Sequence, residues 1–125
     1  MDKKKILIID DEADLTRLIK LNLEGTGKYT VRAENNGLHG LIAAKEFNPN
    51  IIFLDIMMPD VDGGDICCQL ENDSKTKDIP VVFLTGVAKQ SEIKEGMGTI
   101  GGHSFLAKPV SLRSLIDCIE KTSKA

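Results

Sequence analysis

Three aspartates hold the first chemical signal. Asp10 and Asp11 directly follow the apolar run 6–9, and Asp55 directly follows the apolar run 51–54. Two further polar groups are placed the same way. Thr85, then Gly86, follows the run 81–84, and Lys108, then Pro109, follows 104–107. If these runs are strands of one open sheet, their carboxyl ends lie along a single edge, where such sheets bind ligands. Carboxylates gathered at that edge repel one another. A pair about 4 Å apart costs about 4 kcal/mol at an effective dielectric of 20. A hard divalent cation with oxygen ligands offsets this, and Mg²⁺ keeps several of its waters while doing so. Lys108 adds a positive charge and Thr85 a hydroxyl donor. Phosphoryl transfer needs mainly positioning and charge neutralisation, and aspartate can itself accept a phosphoryl group covalently.

The elements that must deliver these groups are legible in the hydropathy pattern. The runs 6–9, 51–54 and 81–84 are continuously apolar and rich in β-branched residues, which suits strands buried on both faces. Weaker strands are expected at 29–33 and 104–107. Helical spacing fills the gaps. Leu15, Leu18, Ile19 and Leu23 form one stripe, and Leu38, Leu41 and Ile42 another. Ile66 and Leu70 mark a short helix after Gly63-Gly64. Ile93 and Met97 mark one after Ser91, and Leu112, Leu115, Ile116 and Ile119 mark the last. Strand and helix therefore alternate about five times. That pattern predicts an α/β domain with a doubly wound parallel sheet and right-handed crossovers.

Composition agrees with one domain over residues 1–125. Apolar residues make up 42% and charged residues 28%, ordinary for a globular fold. The net charge of −3 argues against charge-driven binding of nucleic acid. No apolar stretch reaches the roughly 20 residues of a membrane span. Three cysteines without framework spacing read as reduced thiols, hence a cytoplasmic protein.

The motifs KKKILIIDDE, FLDIMMPDVDG, VVFLTG and SFLAKPV, in this order and spacing, resemble the response-regulator receiver domain of two-component signalling. The resemblance covers the chain from Lys4 to about Lys121. It implies the five-stranded flavodoxin-like (βα)5 fold with strand order 2-1-3-4-5. It implies Asp55 as phosphoacceptor and a Mg²⁺ site, with Mn²⁺ as the substitute ion. Asp11 and Asp55 would be direct side-chain ligands, Asp10 would hold the ion through water, and the Met57 backbone carbonyl would complete the protein set. Thr85 and Lys108 would contact phosphoryl oxygens. Phe105 matches the aromatic switch position, and Lys108–Pro109 the family's cis bond. The resemblance further implies a phosphohistidine donor, either a sensor histidine kinase or a histidine phosphotransfer protein. A downstream protein target would read the surface formed by the fourth helix, the fifth strand and the fifth helix. A monomer is expected, or a weak homodimer formed on phosphorylation. Val87 and Met57 are expected to tune phosphate lifetime.

Two alternatives compete with this switch. One is a phosphorylation-independent interaction module on the same fold; the intact acid, Thr85 and Lys108 set argues against it. The other is an enzyme. An aspartate-nucleophile hydrolase wants an acid two residues after Asp55, where Met57 stands, and a flavin carrier wants a hydroxyl-rich loop where Asp10-Asp11 stands. Several motifs are decoys. Gly96 to Gly101 fits G-x-G-x-x-G, but follows a helical pattern instead of a strand. Its glycines make the fourth helix short. Asp60, Asp62 and Glu71 echo a calcium loop whose obligatory glycine position holds Asp65. Cys67 and Cys68 read as core or boundary residues. His39 and His103 lack metal-ligand spacing and read as surface histidines.

Overall fold

The computed structural model describes residues 3–86, 97–100 and 103–123, with 97–100 as a backbone path. Strand β1 (Lys4–Ile9) sits in the middle of the architecture. Ile6, Leu7, Ile8 and Ile9 are all fully buried, because helices cover both faces of the sheet. Alternation along the strand then divides two cores. Ile6 and Ile8 join Phe53, Val82 and Leu106 under helices α1 (Ala13–Gly25) and α4 (Leu112–Thr122). Leu7 and Ile9 join Leu54, Phe83 and Phe105 under α2 (Gly40–Phe47) and α3 (Gly63–Glu71). This is the doubly wound arrangement.

The remaining strands are β2 (Tyr29–Glu34), β3 (Ile51–Asp55), β4 (Val81–Thr85), β5 (Met97–Ile100) and β6 (His103–Ala107). Their order is β2-β1-β3-β4-β6-β5. All neighbours are parallel except β5, which pairs antiparallel with β6. The parallel strands, β2-β1-β3-β4-β6, have the expected order 2-1-3-4-5 when counted among themselves. Strand β5 is a difference. Met97 belongs to this edge strand, opposite Leu106, and not to a helix. Glycine disfavours helix, while Thr99 and Ile100 are β-branched and suit an extended backbone. Ser91, Ile93 and Val87 lie outside the described residues.

Helix faces also depart from the leucine pattern. In α1 the sheet-facing residues are Thr16, Ile19 and Leu23, and Leu18 is exposed. In α2 they are Gly40, Ala43 and Ala44, while Ile42, and Leu38 in the 3-10 turn just before the helix, point to solvent. Small residues let α2 lie close to the sheet: a Cβ at Gly40 would stand 3.1 Å from Ile9 Cδ1. Helix α4 follows its pattern better, burying Leu115 and Ile119, with Ser111 capping its first turn by accepting from Ser114 N at 3.0 Å. No helix among the described residues is long and apolar enough to cross a membrane.

Candidate functional site

The carboxyl ends of β1, β3, β4 and β6 converge as the parallel sheet requires. Asp10 follows β1 and is fully buried. Its carbonyl oxygen accepts from Asn35 Nδ2 at 2.8 Å, and its Oδ1 accepts from Glu12 N at 3.0 Å. Asp55 ends β3, is 5% exposed, and accepts from Met57 N at 3.2 Å through Oδ1. Asp11 is exposed at the rim. One carboxylate oxygen from each of the three lies within 4.8 Å of the others.

Lys108 reaches this cluster from the end of β6. Its Nζ stands 2.7 Å from Glu12 Oε1, 2.8 Å from Asp10 Oδ2 and 3.6 Å from Asp55 Oδ2. Lys108 Nζ pairs with Asp10 Oδ2, a buried oxygen with no other partner among the described residues. The Lys108 backbone N–H donates to the Thr85 carbonyl at 2.8 Å, and the Lys108–Pro109 bond is cis. Thr85 is buried at the end of β4, opposite Ala107. Phe105, two residues before Ala107, is already fully buried in the core under α3.

The loop after Asp55 is held tightly. Met57 bridges to Asp62, Gly63 N donates to the Ile56 carbonyl at 2.8 Å, and the Met57 side chain is exposed. Asp62 accepts from Gly64 N and caps α3, which explains an acid that otherwise echoes a calcium loop. Gly63 is required by close approach. A Cβ there would run into the Asp55 carbonyl oxygen and stand 2.7 Å from Ile56 Cα.

Charge in the pocket is unbalanced. Burial, then the nearby Asp10 carboxylate, pushes Asp55 up to about 6 against the pull of Lys108. Burial alone would lower Lys108, but the carboxylates of Asp10 and Glu12 override it and raise its pKa. Clustered oxygens, excess negative charge and a buried Asp10 oxygen with no partner but the Lys108 ammonium among the described residues fit a hard divalent cation. Mg²⁺ matches this donor chemistry, and Mn²⁺ accepts the same ligands.

Two contributors are given no role by the motifs, although Glu12 is read from the sequence among the acids that end the first strand. Glu12 holds Lys108 more closely than Asp55 does. Asn35 ties the Asp10 carbonyl to the buried Thr16 hydroxyl, at 2.8 and 2.9 Å. Glu12 is visible as an acid beside Asp10-Asp11, whereas Asn35 carries no local signal. His103 departs from expectation. It is not an isolated surface histidine, because strand pairing carries it over α3, beside Cys67 and Glu71. His39 does sit at the surface, 4.0 Å from Glu34. Burial, then Glu71, pushes the Cys67 thiol up to about 12, so it is protonated at neutral pH.

Comparison with known proteins shows the family and the fold. The family profile described as Response regulator receiver domain matches residues 6–120. The DNA-binding dual master transcriptional regulator RpaA of Synechocystis is 36% identical over 112 residues, covering 90% of this chain and 46% of RpaA. The chain spans about half the length of the curated relatives it matches. The Francisella response regulator 1452 receiver domain superposes with a TM-score of 0.78 at 26% identity, covering 95% of each chain. The Vibrio cholerae chemotaxis protein CheY4 shares the fold, with a TM-score of 0.80 at 23% identity, covering 96% of this chain and 98% of CheY4.

Proposed function

This chain belongs to the response regulator receiver family of two-component signalling, and on that premise we propose that Asp55 is its phosphoacceptor. The supporting observation is the convergence of Asp10, Asp11, Asp55 and Lys108 at one sheet edge, with Thr85 beside them. An Asp55 carboxylate oxygen attacks the phosphorus of a phosphohistidine. The P–O bond forms, the P–N bond breaks, and the histidine nitrogen keeps the electron pair. The donor is a sensor kinase or a phosphotransfer protein.

Asp11 and Asp55, with the Met57 carbonyl, would hold Mg²⁺ directly, and Asp10 through water. When bound, the ion neutralises charge on the phosphoryl oxygens and the carboxylates. The chain's own residues do the rest. Met57 N orients Asp55 by its hydrogen bond to Oδ1. Lys108 exchanges Glu12 for a phosphoryl oxygen, and Thr85 donates its hydroxyl to another. Phosphorylation adds charge and strong acceptor oxygens at this point. Phe105 is already inside, so the modification acts by holding Thr85 and stabilising the buried ring, in place of turning the ring inward. The readout surface includes β6 and α4. The chain is a signalling module, not a turnover enzyme, and works in the cytoplasm as one receiver unit. Its target is a protein, and it is a monomer or a weak homodimer when phosphorylated. Any DNA contact, as named for RpaA, would come from segments outside this chain.

Mass spectrometry after acetyl phosphate and Mg²⁺ tests this. One added phosphate is expected, absent in Asp55→Asn. No addition, or addition surviving that substitution, overturns it. Backbone chemical shifts of β6 and α4 with a beryllofluoride phosphate mimic test the readout; unchanged shifts there refute it.

A further inference from the structure

A second group of ligating atoms lies away from the aspartates, between α3 and the start of β6. Cys67 and Glu71 are four apart on α3, so they share one helix face. His103 opens β6 and leans over that face, with its ring edge-on to Phe83 at 5.6 Å. Three atoms meet there. Cys67 Sγ is 3.2 Å from Glu71 Oε1, His103 Nε2 is 3.2 Å from that same oxygen, and Sγ and Nε2 are 3.8 Å apart. A tetrahedral zinc ion at its usual bond lengths separates its S, N and O ligands by about 3.4–3.6 Å. The three atoms thus form a triangle close to one face of that tetrahedron, without rearrangement of either element.

The surroundings allow an ion to enter. The three residues line a cleft of about 350 Å³, with Glu71 and His103 partly exposed and Cys67 buried at its base. The free thiol is not engaged in a disulfide. Thiolate, imidazole and carboxylate together select a borderline metal over Mg²⁺, which prefers oxygen alone. We propose that Cys67, Glu71 and His103 form a second metal site, for a divalent ion of the zinc class with water as fourth ligand. The Cys67 proton leaves to solvent as the metal–sulfur bond forms, and neutral His103 donates its Nε2 lone pair. A bound ion ties α3 to β6, the strand that carries Phe105 on the same face two residues on. The site is separate from the aspartate cluster and does not depend on its phosphorylation.

Cobalt titration of the full chain tests this, in excess Mg²⁺ to occupy the aspartates and with a non-metal-binding reductant. One equivalent of Co²⁺ should give a near-ultraviolet thiolate charge-transfer band and the intense visible bands of tetrahedral cobalt, both erased by Zn²⁺. Cys67→Ser should abolish the charge-transfer band, and Cys68→Ser should leave it unchanged. His103→Gln, a change at a partly exposed side chain, should weaken binding at least about tenfold. It keeps the test open if Cys67→Ser does not fold. Absence of a thiolate band at millimolar Co²⁺, a band that survives Cys67→Ser, or affinity indifferent to His103→Gln overturns the proposal.

Discussion

Neutralising Asp55 should stabilise the metal-free protein at pH 7 while removing its proposed phosphoacceptor. The carboxyl is raised from an ordinary 3.8 to about 6 by burial and by Asp10, with the pull of Lys108 already included. At pH 7 the group is ionised in both folded and unfolded chains, and the folded one bears the cost. Each pKa unit is about 1.4 kcal/mol, so the gap corresponds to about 3 kcal/mol before solvent screening at the pocket mouth, and about 1–3 kcal/mol after it. The amide introduced by Asp55→Asn would keep an oxygen for the Met57 N–H and carry no charge. The variant should therefore be more stable by that amount in EDTA, measured by urea unfolding followed with far-ultraviolet circular dichroism. The sign fixes the pH window. Between about 3.8 and 6 the folded chain binds the extra proton, so wild-type stability falls as pH rises through that range, and the variant lacks this slope. Below it the two converge. Saturating Mg²⁺ should erase the variant's advantage, since an ion at 100 times its Kd adds about 2.7 kcal/mol to the form that binds it. Equal or lower stability of Asp55→Asn in EDTA at pH 7 refutes the electrostatic account of the pocket.

Three further outcomes follow from the same geometry. Lys108→Gln leaves fully buried Asp10 without its ion pair, and should cost about 1–3 kcal/mol in EDTA by urea unfolding; an unchanged midpoint would remove Lys108 as the counter-charge. Gly63→Ala drives a methyl into the backbone of Asp55 and Ile56, and should cost at least about 2 kcal/mol by thermal unfolding, with chemical-shift changes at 55–57. Tyr29 is buried, donates to Glu120 at 2.9 Å, and keeps its phenol proton up to about 12, through burial first and then Glu120. From about pH 10 to 12 the unfolded phenol ionises and the folded one does not, so stability falls as pH rises; Tyr29→Phe should remove that part of the slope in pH-dependent urea unfolding.

The order of residues along the chain is enough to specify the parallel sheet and the identity of its edge groups. Continuous apolar strands such as 6–9 and 51–54 permit burial on both faces, and whatever follows them must emerge at the carboxyl edge. Asp10, Asp55, Thr85 and Lys108 are therefore recognisable as neighbours from their positions after three such runs and the weaker strand 104–107. Helix faces are less legible. Leu18, Leu38 and Ile42 satisfy the spacing yet lie in solvent, because Thr16, Ala43 and Ala44 fit the closer approach to the sheet. Hydropathy counts size as burial, but the gap between layers selects small residues where elements come near. The Gly-rich stretch before β6 likewise hides an antiparallel edge strand, since backbone pairing has no local signature. What depends on distance between remote elements emerges only on folding. Lys108 is shared among Glu12, Asp10 and Asp55, Phe105 is already inside, and His103 meets Cys67 and Glu71. Sequence spacing fixes neighbours along one strand or helix, whereas contacts across the sheet are set by register and packing.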